Sequence, residues 1–132
     1  MAYLGKKYNY EKHEKFDEFL GALGVPKASK DAILSHSSSQ TLVKNGDTYT
    51  LTMDGHEGVK TLTFKSGDEV DEKVGSFDAK TTFTVDGNVV VQTQKFPDGR
   101  SVTFKKEYSD NKLVVAATNS EWNGVAYRYY TA

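Results

Sequence analysis

The chain has 132 residues and a net charge of −1, with 17 basic and 18 acidic side chains interspersed along it. This length corresponds to one ordinary domain with room for a hydrophobic core, and the balanced charge argues against a nucleic-acid partner. Cysteine is absent, and neither a signal-peptide core nor an apolar run of membrane-spanning length occurs, so we expect a soluble cytoplasmic protein without disulfides.

The first predicted elements are a strand over residues 6–13 and a helix that follows it. Apolar side chains then repeat at the i, i+3, i+4 and i+7 spacing of one helix face; they are Phe16, Phe19, Leu20 and Leu23. Gly24 comes directly after them, where helices commonly end in a left-handed residue. The apolar face should dock this helix onto the rest of the molecule.

A second short helix should follow Pro26, because proline cannot continue the first. Ser29 is a candidate N-cap residue for the second helix, and Ala32 and Ile33 give it a weak apolar face. The two helices within residues 15–36 would form a helix-turn-helix cap over one end of a β structure.

The rest of the chain is divided about every ten residues by turn-forming pairs, such as Asn45-Gly46, Asp86-Gly87 and Asn123-Gly124. The segments between them are rich in Thr, Val, Phe and Tyr, which favours antiparallel strands. These strands are predicted over residues 39–45, 48–54, 59–65, 69–75, 79–86, 88–96, 100–109, 112–119 and 124–131. We therefore predict one all-β domain over residues 1–132, a ten-stranded antiparallel up-and-down barrel, which is wide enough to enclose a cavity.

Lys106 falls on the apolar face of one predicted strand. Strand alternation puts Val102, Phe104 and Tyr108 on the same face as Lys106. A buried ammonium group is costly unless an anion meets it, so we expect an internal carboxylate or an anionic ligand. The alternative is a wet strand end, where the lysine would extend its amine into solvent.

Two further polar positions cannot be assigned by alternation alone. Arg128 lies in the last strand, where Tyr127 and Tyr129 could equally be the buried set and leave the arginine outside. Gln40 shares a face with Leu42, which fits either the lining of a wet cavity or a solvated outer face.

Several motifs follow one another in a specific order along the chain. They are Leu4-Gly5-Lys6, Phe16-Asp17-Glu18-Phe19-Leu20, Leu23-Gly24-Val25, Lys44-Asn45-Gly46-Asp47, Thr63-Phe64-Lys65-Ser66-Gly67, Glu69-Val70-Asp71-Glu72 and the closing Ser120-Glu121-Trp122-Asn123-Gly124-Val125-Ala126-Tyr127-Arg128-Tyr129-Tyr130. Together they resemble the intracellular lipid-binding proteins, a lipocalin-like calycin group, and specifically the cytosolic fatty-acid-binding proteins; the closing segment is most similar to insect members. The resemblance implies a ten-stranded β-clam capped by two helices, in agreement with the predicted layout.

The resemblance also implies a function and a site. Members of the family carry one long-chain fatty acid inside the barrel, and the positions that meet its carboxylate match Lys106, Arg128 and Tyr130. Lys106 departs from the commonest pattern, which has an arginine there, and a lysine would contact the carboxylate as a point charge or through water. Gln40 matches an inward position that could add a hydrogen bond. On this basis Arg128 should face inward.

The expected cavity and portal residues are Phe16, Leu20, Ile33, Met53, Phe77 and Val115. Ligand should pass the helical cap and the turns at residues 54–58 and 75–78, where Phe77 either guards the opening or only fills a surface gap. Lys27 and Lys30 are expected to touch anionic membranes transiently during transfer, with a solvated helix face as the alternative. We expect a monomer.

An enzyme is disfavoured because no catalytic constellation is visible. His13, His36 and His56 are scattered over a strand, a helix end and a turn, without the spacing of a metal site. We therefore expect a binding protein without catalytic residues, metal or cofactor. Among ligands, retinoic acid, another retinoid or another hydrophobic carboxylate remains the alternative to a fatty acid. In the family that the chain resembles, members that hold retinol tend to have glutamines at the two basic positions.

Overall fold

The computed structural model describes residues 2–132, which form ten antiparallel strands in a nearly closed barrel with two helices between the first and second strands. The strands are β1 (Lys7–Glu14), β2 (Ser39–Asn45), β3 (Thr48–Gly55), β4 (Gly58–Phe64), β5 (Glu69–Val74), β6 (Phe77–Asp86), β7 (Val89–Lys95), β8 (Ser101–Tyr108), β9 (Lys112–Asn119) and β10 (Trp122–Thr131). The helices are α1 (Phe16–Ala22) and α2 (Lys27–Ser35). The predicted fold is confirmed. Neither helix is long and apolar enough to cross a membrane.

The strands form one sheet whose two edges are β4 and β5. Its order is β4-β3-β2-β1-β10-β9-β8-β7-β6-β5, so β1 joins the two halves by pairing with both β2 and β10. No backbone ladder joins β4 to β5 within residues 2–132. Side chains bridge this open seam instead, because Lys60 Nζ on β4 donates to Glu72 Oε2 at 2.6 Å and to the Lys73 carbonyl at 3.1 Å, both on β5.

Two strands begin two residues earlier than predicted because their hairpin turns have only two residues. β6 begins at Phe77, which pairs with Val74, and β10 begins at Trp122, which pairs with Asn119. The prediction of a turn at Asn123-Gly124 is therefore wrong. The two residues lie inside β10 at a register shift, and a Cβ added to Gly124 would come within 2.3 Å of the Trp122 ring. The absence of a side chain makes room for the indole.

Helix α1 ends as the sequence predicts. Gly24 has φ +76, its N–H donates to the Gly21 carbonyl at 3.0 Å, and the Val25 N–H donates to the Leu20 carbonyl at 3.2 Å. This pair of bonds satisfies carbonyls that a helix end would otherwise leave without donors. The apolar face of α1 packs on Val102, Ala117 and Ala126 of three neighbouring strands.

Helix α2 begins at Lys27, directly after Pro26, and the prediction that Ser29 caps it is wrong. Pro26 has the extended backbone of an N-cap residue (φ −57, ψ 148), so the first turn forms two residues before Ser29. In the part of the chain that the structure describes, no side-chain hydrogen bond caps this helix. Ile33 and Leu34 are only partly buried, where they pack against the apolar side chains that join α1 to the strands. The second helix is therefore held less firmly than the first.

The opposite end of the barrel is closed by aromatic packing. Tyr3 stacks on Tyr108 with ring centroids 4.2 Å apart, and its hydroxyl donates to the Gly87 carbonyl at 2.8 Å. Phe64 and Phe83 stack at 4.1 Å between the two halves of the sheet. Because this end is densely packed, the space that remains open inside the barrel lies toward the helices and the open seam.

Candidate ligand-binding cavity

A cavity of about 470 Å³ lies inside the barrel. Most of the sequence-predicted site residues line it; they are Phe16, Gln40, Met53, Lys106, Val115, Arg128 and Tyr130. The cavity reaches the turn at residues 55–58 and the turn that contains Gly75, beside the open seam. It is within the size range of small-molecule sites and combines apolar walls with a few charged groups.

Lys106 on β8 is inside the barrel, with only 3% of its surface exposed. Its Nζ donates to Gln40 Oε1 at 3.1 Å. Burial lowers the pKa of the Lys106 amine to about 8, although the negative charge of Glu72 acts in the opposite direction. The position therefore excludes the alternative in which the amine extends into solvent.

Arg128 on β10 also lies inward, which alternation alone could not decide. Its guanidinium carbon is 4.6 Å from the Tyr10 ring centroid and 4.9 Å from that of Phe16, and Nη2 donates to Ser38 Oγ at 3.3 Å. Its Nε is buried and has no hydrogen-bond partner within residues 2–132. Tyr129 points to the outer face, where its hydroxyl meets Glu14.

The two inward cations have no direct carboxylate partner among the described residues. Across residues 2–132, no Asp or Glu oxygen lies within 4.0 Å of Lys106 or Arg128. Buried positive charge without an adjacent anion is costly. The cavity therefore offers two cationic side chains to an anionic group that enters it.

A buried carboxylate, Glu72 on β5, faces the same cavity. Its Oε1 accepts hydrogen bonds from Thr81 Oγ1 at 2.8 Å, Gln94 Nε2 at 3.0 Å and Gln92 Nε2 at 3.2 Å, and its Oε2 accepts from Lys60. Burial by itself would raise the pKa of Glu72, but the hydrogen bond and charge of Lys60, with the bonds from Gln94 and Thr81, lower it overall. Glu72 is therefore ionised and already satisfied.

The sequence analysis missed Glu72, although a signal was present. Val70 and Val74 have the same parity as Glu72 in β5, the pattern that singled out Lys106. Asp71 and Lys73, which alternate with them, are exposed. The polar partners of Glu72 lie on β6 and β7, so only the folded barrel brings them together.

Three of the expected cavity or portal residues do not line the cavity. Leu20 is buried between α1 and the strands, and Ile33 packs at the edge of the same apolar contact. The apolar side chains of the helices face Val102 rather than the open space of the cavity. Phe77 is 50% exposed; its ring lies 6.2 Å from that of Phe96 and 5.9 Å from the Arg100 guanidinium. Phe77 thus lies on the outside of the barrel, close to one of the turns that the cavity reaches.

Known proteins resemble this chain in sequence and in structure. No protein-family model matches the chain. Fatty acid-binding protein 1 of Manduca sexta is 46% identical over 133 aligned residues, which cover 100% of both chains. The solved structure of the fatty-acid-binding protein isolated from Manduca sexta has a TM-score of 0.93 at 45% identity, covering 99% of this chain and 100% of that one. The fatty acid-binding protein in brain tissue of Drosophila melanogaster has a TM-score of 0.88 at 34% identity, with the same coverage. The chain therefore belongs to the fatty-acid-binding protein family.

Proposed function

We propose that this protein binds a long-chain fatty acid non-covalently inside the barrel and carries it through the cytosol as a monomer, without catalysing a reaction on it. The observation that supports the proposal is a pair of inward-facing cations, the buried Lys106 and the partly buried Arg128, which line one cavity without an adjacent carboxylate in residues 2–132. A ligand carboxylate would compensate both charges. The similar proteins of Manduca sexta bear the name fatty acid-binding protein, which agrees with this chemistry.

The proposed carboxylate site consists of Arg128, Tyr130, Lys106 and Gln40. Arg128 has a buried Nε donor without an acceptor among residues 2–132, so a carboxylate can bind it without breaking a hydrogen bond to these residues. Lys106 would act as a point charge held in place by Gln40. Tyr130 lines the same cavity and supplies a hydroxyl.

The acyl chain would extend along the apolar part of the cavity, which includes Phe16, Met53 and Val115. Each buried methylene contributes about 0.8 kcal/mol, so a sixteen-carbon chain could gain on the order of 10 kcal/mol before the costs of ordering it. Burial of the chain would therefore supply most of the affinity. The cations would determine orientation and selectivity for an acid.

The proposed portal lies at the turns of residues 54–58 and 75–78, beside the less firmly held α2. The cavity reaches both turns, and no backbone ladder joins the strands next to them within the described residues. Segments that open for a ligand come from the less stable parts of a fold. If amide exchange at residues 54–58 in the ligand-free protein were as slow as at residues 112–119, this portal would be wrong.

Native mass spectrometry of the protein purified with its bound lipid tests the ligand class directly. The expected result is one fatty acid per monomeric chain. A retinoid acid would present the same carboxylate to the same cations, so displacement titrations with hexadecanoic acid and retinoic acid should follow. Tighter binding of retinoic acid would replace the fatty-acid proposal, and failure of both acids to bind would overturn it.

A further inference from the structure

The Lys106 amine is unusual among the lysines of this protein because it faces a cavity and not water. Its only described hydrogen bond goes to a neutral acceptor, Gln40 Oε1, and no carboxylate lies within 4.0 Å of its Nζ in residues 2–132. The neighbouring Lys105 shows the ordinary situation, since it is exposed on the outer face and pairs with Glu107 at 3.4 Å. Lys106 therefore combines a primary amine with an apolar, ligand-sized space.

The protonation state of this amine favours nucleophilic chemistry. The charged groups that act on it are Glu72 on β5 and Lys60 on β4, and Arg128 lines the same cavity. With its pKa lowered to about 8, a much larger share of the Lys106 amine is neutral near pH 7.4 than in an ordinary lysine, for which it is roughly one in a thousand. Only the neutral amine has the lone pair that attacks a carbonyl carbon, and desolvated lysines are used as nucleophiles for this reason.

We propose that Lys106 forms an imine with long-chain aliphatic aldehydes that enter the cavity, so that the protein captures these aldehydes covalently and reversibly. This inference rests on the proposed function only in that both use the apolar cavity for the ligand chain. It assigns to Lys106 a reaction that a lysine can perform and an arginine at the same position cannot.

The chemistry balances without an oxidant or a reductant. The neutral Nζ attacks the aldehyde carbon, a C–N bond forms, and one amine proton is transferred to the oxygen to give a carbinolamine. Loss of water breaks the C–O bond and forms the C=N bond, so one aldehyde and one amine become one imine and one water. The hydrogen bond from Nζ to Gln40 holds the amine at the cavity wall, and burial of the alkyl chain keeps the aldehyde beside it.

The experiment incubates the full-length protein with hexadecanal near pH 7.4 in the presence of cyanoborohydride, which reduces an imine to a stable amine. Intact mass should show one hexadecyl group per chain, and peptide mapping should locate it at Lys106. Excess hexadecanoic acid should suppress the adduct by occupying the cavity. Labelling spread over exposed lysines would overturn the proposal, and so would an adduct yield that does not fall at acid concentrations at which the acid binds the protein.

Two matched variants sharpen this test. Lys106→Arg keeps the charge but has no amine that can form the imine, so the adduct should fall at least about tenfold. Lys105→Arg changes the adjacent, outward-facing lysine and should leave the yield unaltered. If Lys106→Arg does not fold, the mapping and competition measurements on the wild type still decide the question.

A parallel titration of the wild type with hexadecanoic acid separates this inference from the proposed function. Binding of the acid without any Lys106 adduct would refute only aldehyde capture. A Lys106 adduct without detectable acid binding would refute only the proposed fatty-acid carrier.

Discussion

Arg128 is expected to contribute binding energy selectively to ligands that carry a carboxylate. Its buried Nε has no acceptor within residues 2–132, and its guanidinium lines the cavity. Arg128→Gln replaces this cation with a shorter, neutral amide and removes one charge-assisted hydrogen bond to the ligand. Such a bond contributes about 1.5–3 kcal/mol. Affinity for hexadecanoic acid should therefore fall roughly 10- to 150-fold, whereas affinity for hexadecanol should hardly change.

The same substitution should have a smaller effect on the ligand-free protein, because two terms oppose each other. The Arg128 guanidinium packs on the rings of Tyr10, Phe16 and Tyr130 at 4.6, 4.9 and 5.7 Å, and each such contact contributes about 0.5–1 kcal/mol. Removal of the partly buried charge relieves a desolvation cost, which opposes this loss. Urea unfolding of wild type and variant should confirm that the loss of affinity is not a loss of folding.

Calorimetric titration of both proteins with the acid and its alcohol is the decisive assay. Lys12→Gln is a matched control, since it removes a positive charge from the outer wall, where Lys12 Nζ lies 5.2 Å from the Tyr129 ring centroid. This control should leave both affinities unchanged. If Arg128→Gln weakens acid and alcohol equally, or neither, the carboxylate does not bind at Arg128 and the cavity recognises only the alkyl chain.

Three further variants test other parts of the structure. Burial lowers the pKa of Lys106 from 10.5 to about 8, so between these pH values the unfolded chain binds more protons than the folded protein. The free energy of unfolding should therefore rise with pH from about 8 to 10.5. Lys106→Met should abolish this rise and stabilise the ligand-free protein by ~3 kcal/mol at neutral pH. A difference curve, wild type minus variant, that is flat over this range would contradict the argument. Glu72→Gln should destabilise the protein by ~2 kcal/mol and speed amide exchange in β4 and β5, since it removes the negative charge that binds Lys60 across the seam. Glu69→Gln, on the exposed face of β5, is the control. Equal effects of the two substitutions would refute the role of Glu72. Lys27→Glu with Lys30→Glu should slow salt-sensitive transfer to anionic vesicles, each lysine contributing roughly 1 kcal/mol near such a surface, and unchanged transfer rates would exclude membrane contact through α2.

Hairpins and the end of α1 could be predicted because their signals are local. Gly24 and Asn45-Gly46 act within a few residues of the turns they form, and the structure has both turns at the expected positions. The same local reasoning failed at Asn123-Gly124, where the glycine makes room for Trp122 rather than a turn. Glycine serves at one position because it adopts a positive φ and at the other because it has no side chain, and the sequence alone does not distinguish these two roles.

The inside of the barrel was predictable only in part, because it depends on contacts between distant strands. Lys106 could be identified since apolar neighbours of the same parity surround it. The direction of Arg128 was ambiguous until the rings of Tyr10 and Phe16 were in place on either side of it. Glu72 bonds to residues as many as 22 positions away, so its role follows from the register of β5, β6 and β7 rather than from its own segment.

The open seam also bears on how the barrel avoids aggregation. A sheet with two free edges exposes backbone donors and acceptors that can pair with a second chain. Here the two edges face each other. Lys60 donates a hydrogen bond to the Lys73 carbonyl and forms an ion pair with Glu72 across the seam. The charged residues Glu69 and Asp71 lie along the exposed face of β5. A flat partner strand that approached either edge would have to displace an ion pair or bury a charge. The protein can thus keep its sheet incompletely closed without offering it as a template for other molecules.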